Sequence, residues 1–411
     1  MSGSILATFA TRAIILIGGL ASTIITARYL GPGPRGDYFV VATLAAGIAQ
    51  FGTLGLSASN TYQVASDESL LGPLTANSLW VSLVVGGLGG ATTVALFAAL
   101  HVFGGTPIAT LAFAALLAPP TIFFLLGTNL LVGAHRIDLF NWIEVASRFV
   151  ILAALAAAGA IGLALDGFLA ASVLSWWVSS GVLLVMLLRA GNGTLRFSAA
   201  ALRRGVRYAA KTYAVSILAY LVLRANVFVL RAHAGRVEVG YFSIASQIAD
   251  ALSILPASFA LVLFPRLVRD RTATFRTTLR TTGIVVAIML PAVVLTAAVA
   301  SPVIAAVFGE RFRPAVGMLT WMLPGVIFVG AATILAQHLA AIGLPKALIG
   351  VWALVFATLA GLSALLVPRY GGKGAAASLS GAYLVLLALV ATLSYLHRDT
   401  VPARTAAAAE T

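Results

Sequence analysis

Apolar residues fill this chain in long blocks, separated by short clusters of Arg, Gly, Pro and Asp. The blocks run approximately over 5–30, 38–59, 74–100, 107–132, 139–162, 165–188, 206–230, 240–264, 279–307, 315–343, 347–367 and 375–396. A bilayer core about 30 Å thick takes about 20 helical residues. A backbone buried in hydrocarbon must satisfy its own hydrogen bonds, so blocks of this length predict helices. The pattern gives an all-α integral membrane protein with about twelve transmembrane helices.

Composition agrees with this. Of 411 residues 61% are hydrophobic and only 9% charged, and the mean hydropathy is +1.03. Soluble domains carry about 25% charged residues. There is no cysteine, which removes disulfides, thiolate metal sites and Cys nucleophiles. The formal charge is +14, but the basic residues sit mostly between blocks, which points to topology and lipid headgroups rather than nucleic acid. The first block follows Met1-Ser2-Gly3-Ser4, which has no basic n-region, and reads as a retained helix.

Placing the N-terminus inside puts fifteen Lys/Arg on cytoplasmic connections and eight opposite, so both termini are expected in the cytoplasm. The inner set includes Arg136, Arg204, Arg271, Lys346 and Arg404; the outer set includes Arg28, Arg35, Arg236 and Arg313. The chain also repeats. Arg28 with Tyr38-Phe39 recurs as Arg231 with Tyr241-Phe242, and Gly133-x-x-Arg136 with Trp142 recurs as Gly343-x-x-Lys346 with Trp352. Gly167–Ser172 resembles Gly374–Ser378. An even number of spans per repeat inserts both halves the same way, related by a pseudo-twofold along the membrane normal. The expected division is a six-helix bundle over 1–190, a basic connection over 191–205, a second six-helix bundle over 206–397 and a short tail over 398–411. The basic connection, with Arg203, Arg204, Arg207 and Lys211, fits an interfacial helix.

Three arginines lie deep inside the blocks, away from their ends, where charge is expensive and marks function by default. Arg12 lies in the first span and either snorkels to headgroups or faces a cavity. Arg148 is near the middle of the fifth, with Glu144 one turn earlier as a structural partner or a competitor for phosphate. Arg224 lies in the seventh, with Asn226 nearby, and Asp250 in the eighth is its candidate counter-ion. A lone intramembrane Asp also suits a proton or sodium relay, so Asp250 is a candidate for ion coupling as well. The planar guanidinium fork binds phosphate oxygens bidentately and stays charged. The deep arginines therefore predict an anionic ligand. Pro119-Pro120, Pro256, Pro291 and Pro324 predict bends. Glycines 86, 87, 89 and 90 predict close helix contact.

The stretch Ala27–Phe39, with Gly-Pro-Gly-Pro-Arg-Gly-Asp-Tyr-Phe at its end, resembles polysaccharide flippases of the multidrug/oligosaccharidyl-lipid/polysaccharide exporter superfamily. So do Gly240–Ala245 through Leu263–Leu267, Phe308–Ala315, Leu323-Pro-Gly325, Gly343–Lys346 and Pro368–Ser378, in order along nearly the whole chain. The resemblance implies two six-helix bundles facing a cavity. It also implies a multi-pass prokaryotic inner-membrane flippase that moves a polyprenyl-pyrophosphate-linked oligosaccharide outward by alternating access. The cell-surface polysaccharide it serves, lipopolysaccharide among them, is left open. The implied partners are the lipid-linked oligosaccharide, membrane lipids and polysaccharide assembly proteins.

Rival readings are a peptidoglycan lipid-precursor flippase, a cation-coupled drug exporter of the same superfamily and a membrane glycan polymerase or ligase. A drug exporter would favour deep acids, and a polymerase needs a long ordered outer loop. No G-x-x-x-x-G-K-[ST] or G-x-S-x-G motif appears, and five scattered histidines show no metal-ligand spacing. No enzyme activity and no bound cofactor are expected, apart from coupling to H+ or Na+.

Overall fold

Helices are the regular elements throughout the computed structural model, which describes residues 2–100, 106–191, 195–269, 274–343 and 347–400. Side chains 2–10, 12, 13, 208, 210–212 and 274 lie outside that description, as do Arg271, Lys346 and Arg404 altogether. The helices are α1 (Ser2–Leu30), α2 (Pro32–Gly52), α3 (Leu56–Ser66), α4 (Leu71–Ala99), α5 (Ile108–Gly133) and α6 (Ile137–Ala160). They continue as α7 (Leu165–Ala190), α8 (Ala199–Leu252), α9 (Ile254–Arg269), α10 (Thr274–Phe308), α11 (Ala315–Ala341) and α12 (Ala347–Leu396).

Among the described residues eight helical stretches are long and apolar enough to cross a membrane, and the pair α2–α3 qualifies jointly across a 48° bend. Two of the eight are far too long for one crossing. Tyr213–Arg269, which covers most of α8 and all of α9, has 57 residues and α12 has 50, against the ~20 that a bilayer takes. Each reverses at one glycine with positive φ, Gly235 at 83° and Gly371 at 54°, where a side chain would be strained. Counting these two as double crossings, and adding α2–α3 and α1, gives twelve. The lipid-facing character is visible on α10, where Leu290, Val294 and Leu295 are exposed; in water such a face would drive aggregation.

The second span starts earlier than its apolar block. Pro32 occupies the first turn of α2, where a missing N–H has no consequence, and Gly31 turns the chain with φ 70°. Residues expected in an outer loop are thus helical, and Arg35 and Asp37 are buried.

The chain forms two units, 1–220 with 235–240, and 221–234 with 241–411. The division falls inside α8 because its N-terminal part is fastened to the first unit. Asn77 accepts from Ser198 N (2.9 Å) and donates to Ser198 O (2.9 Å), and Tyr220 Oη donates to Thr43 O (2.7 Å). The Tyr213 hydroxyl donates to Phe51 O.

In the first unit α4 packs on α5 through glycines one turn apart. A Cβ on Gly86 would meet Pro119 Cα at 3.0 Å, and one on Gly90 would meet Ala115 Cα at 2.8 Å, whereas Gly87 faces open space. In lipid such close packing, rather than expulsion of water, holds helices together. Pro119 and Pro120 lie inside α5 and strip N–H donors from the preceding turn. Trp177 of α7 supplies one, donating Nε1–H to Leu116 O at 3.1 Å, and Ser180 donates to Pro120 O at 2.7 Å.

The second unit treats its own proline in a related way. Pro324 lies inside α11. Ser380 of α12 accepts from Gly325 N (3.1 Å) and donates to Trp321 O (2.6 Å). Its hydroxyl is inserted into what would be an i→i−4 backbone bond, a recognised cause of helix bending. Elsewhere in the unit Leu335, Leu339, Val355, Leu359 and Leu386 form an apolar core shared by α11 and α12.

Candidate functional site

Arg224 and Asp250 stand on the two arms of α8, on either side of the turn at Gly235, and the reversal brings them together. Arg224 Nη2 lies 2.8 Å from Asp250 Oδ2, a charge-assisted hydrogen bond, with side chains 22% and 36% exposed. The pair borders a cavity of about 210 Å³ within the second unit, together with Phe242, Pro256, Met322 and Tyr383. Three lining hydroxyls spend their protons on their own helices: Ser246 on Ser243 O, Ser253 on Ala249 O and Thr333 on Val329 O. Their lone pairs are left over, so the wall is rich in acceptors, and Arg224 brings the positive charge.

Arg148 sits in the first unit in a different setting. Its niche, lined by Ser147, Ile151, Ser175, Trp176 and Ser179, is about 10 Å³, room for one water at most. Gly18 of α1 crosses its aliphatic stem; a Cβ there would lie 3.3 Å from Arg148 Cβ. Glu144 lies one turn earlier on α6, but among the described residues the two form no ion pair within 4.0 Å, and Arg148 Nε is buried without a hydrogen-bond partner. The side chain of Arg12 lies outside the described residues, so nothing in the structure places it. Of the five sequence candidates, geometry therefore joins Arg224 with Asp250 and leaves Arg148 and Glu144 unjoined.

Sequence reasoning missed Tyr383 at the cavity wall, and no local signal marks it. It also assigned Arg35 to a loop. The structure buries Arg35 to 4% exposure, its guanidinium 5.4 Å from the Tyr38 ring centre and 5.8 Å from that of Phe39, within cation–π range. Here the signal was available: aromatics three and four residues after an Arg in a proline-started helix share its face.

Solved structures of several membrane transporters share this fold. The lipid II flippase MurJ in an inward closed conformation matches with a TM-score of 0.77 at 16% identity, covering 96% of this chain and 88% of that one. An inward-facing multidrug resistance MATE family transporter of the MOP superfamily matches at 0.72 and 17% identity, covering 96% and 98%. A MOP superfamily transporter from Pyrococcus furiosus, described as having a binding pocket of reverse polarity, matches at 0.66 and 15% identity, covering 96% and 94%. At these identities the likeness is one of fold: an all-helical, multi-pass architecture. The family follows from sequence, since residues 4–270 match the model described as polysaccharide biosynthesis protein. This chain belongs to that family. No curated protein sequence matches it.

Proposed function

We propose that this protein flips a polyprenyl-pyrophosphate-linked oligosaccharide from the inner to the outer leaflet by alternating access, with Arg224 engaging the pyrophosphate. The observation that carries this reading is the Arg224–Asp250 pair bordering a cavity inside a membrane-spanning unit. A pyrophosphate carries two or more negative charges and offers the planar fork several oxygens, so it can displace a single carboxylate from the guanidinium. Membership of a polysaccharide biosynthesis family and a fold shared with a lipid II flippase support the lipid-linked cargo. The lipid tail stays in the bilayer throughout, and only the charged head needs replacement of its hydration.

The acceptor-rich wall supports a second role for Asp250. Once phosphate draws Arg224 away, Asp250 and the neighbouring hydroxyl oxygens suit a proton or a sodium ion, which would couple flipping to an ion gradient. Arg148, whose niche holds about 10 Å³, takes no share of the pyrophosphate in this reading.

Leaflet-resolved analysis of lipid-linked glycans in depleted cells tests the function. Accumulation of one glycan lipid on the cytoplasmic leaflet is expected. Accumulation of a peptidoglycan precursor instead would transfer the protein to that pathway, and unchanged outer-leaflet glycan with no second flippase present would refute the proposal. Orientation is tested by Cys labelling. Cys in place of Arg204 should react only from the cytoplasm and Cys in place of Arg313 only from outside; reversed labelling overturns the topology.

A further inference from the structure

A second cavity, of about 390 Å³, lies in the first unit, none of the deep arginines lines it, and the proposed transport makes no use of it. It is lined by Ser59, Tyr62, Gln63, Ser66, Asp67 and Arg204, together with the apolar Leu70. The geometry points to a binding site for a phosphoethanolamine-type headgroup, a phosphate joined to a primary ammonium.

The site is built rather than incidental. Ser198 and Asn77 pin the start of α8, and Gln63 Nε2 donates to Ser59 Oγ at 2.9 Å and to Ala201 O at 3.4 Å. Gly205 allows the approach, since a Cβ there would lie 2.9 Å from Leu56 Cδ2 and 3.0 Å from Ser59 Oγ. Arg204 is thereby held beside the end of α3.

The unsatisfied groups describe the ligand. Gln63 is only 9% exposed and its Oε1 has no hydrogen-bond partner among the described residues. A buried acceptor left unpaired costs about 1–3 kcal/mol, so the position calls for a donor. Asp67 caps the following turn through Oδ1, which accepts from Ser69 N (3.0 Å) and Ser69 Oγ (2.6 Å), and its charge has no ion pair within 4.0 Å among the described residues. The Arg204 guanidinium likewise has no ion pair among them. The Tyr62 ring is 57% exposed beside them, a surface that favours a cation. One cation, one anion, one orphan acceptor and an aromatic face complement a zwitterion whose ammonium has N–H donors. A purely anionic headgroup would leave Asp67 uncompensated, and a quaternary ammonium would leave Gln63 Oε1 without a donor.

The inference is independent of the glycan reading, because binding is measured without transport. The full-length protein in detergent is titrated with short-chain phosphatidylethanolamine, phosphatidylcholine and phosphatidylglycerol, and binding is read by native mass spectrometry. Phosphatidylethanolamine should bind at least tenfold more tightly than either of the others. Asp67→Asn keeps the cap but should erase the preference for ethanolamine over choline, and Arg204→Gln should weaken both by about tenfold. Arg203→Gln, which changes a neighbouring charge outside the lining, should change neither by more than about twofold. Competition by soluble phosphoethanolamine at matching affinity supports the headgroup chemistry and names a soluble source; lipid-only binding names the membrane. Equal or tighter binding of phosphatidylglycerol, or equal effects of Arg203→Gln and Arg204→Gln, overturns the proposal in favour of a general basic patch.

Discussion

Arg148 in the first unit and Arg224 in the second are both arginines within membrane-spanning helices, yet their surroundings differ in kind. Arg224 has a carboxylate at 2.8 Å and about 210 Å³ of cavity beside it, whereas Arg148 has no ion pair among the described residues and about 10 Å³. A neutralised charge beside open volume can change partners; a charge in a filled niche of serines and Trp176 cannot without repacking. Depth in the membrane alone therefore does not identify a working arginine. Partner and space together do.

The comparison predicts unequal consequences. Arg224→Gln or Asp250→Asn should lower flipping at least tenfold in a proteoliposome assay, with Arg224→Lys recovering only part, because a point charge replaces a fork. Each single change should also destabilise by roughly 1–3 kcal/mol, less than the 3–5 of a fully buried pair, since the cavity admits solvent. Equal flipping by Arg224→Lys and wild type would remove the role of the fork. Ser380→Ala should come next in effect on stability. Gly325 N–H and Trp321 C=O lose their bridge and can pair directly only if α11 straightens against α12, so the substitution should lower the denaturation midpoint more than Trp177→Phe, which strands Leu116 C=O alone. The reverse order would mean that the two proline bends are held by other contacts. Gly90→Val should destabilise by about 1–3 kcal/mol through overpacking, while Gly87→Ala, facing open space, should be neutral or stabilising by up to about 1 kcal/mol. The smallest shift belongs to Arg148→Gln, within about 1 kcal/mol; a loss as large as that of Arg224→Gln would reveal an ion-pair partner for Arg148.

The span pattern and the Arg224–Asp250 pair were legible because each follows from a strong local rule. Apolar block length sets a crossing, and a deep Arg seeks a deep acid. Less visible was the status of Glu144 and Arg148. Spacing of four puts two residues on one face, but side-chain direction decides whether they meet, and here they do not. The early start of α2 at Pro32 was hidden by its low hydropathy, although the proline itself marks a helix start. The proline stitches could not have been found at all from single segments. Trp177 and Ser180 act on Pro120's helix from some 60 residues away, and Ser380 acts on Pro324's from a similar distance, so each is set by tertiary packing.

The central claim is that Arg224 handles phosphate and is not merely held by Asp250. The direct test is the double variant Arg224→Gln/Asp250→Asn, compared with each single variant for denaturation midpoint and for flipping of lipid-linked oligosaccharide in proteoliposomes. Removing both charges leaves no unpaired ion, so the midpoint should return to near that of the wild type, while flipping stays at least tenfold reduced. A double variant that is stable and flips at the wild-type rate would make the pair structural and contradict the account.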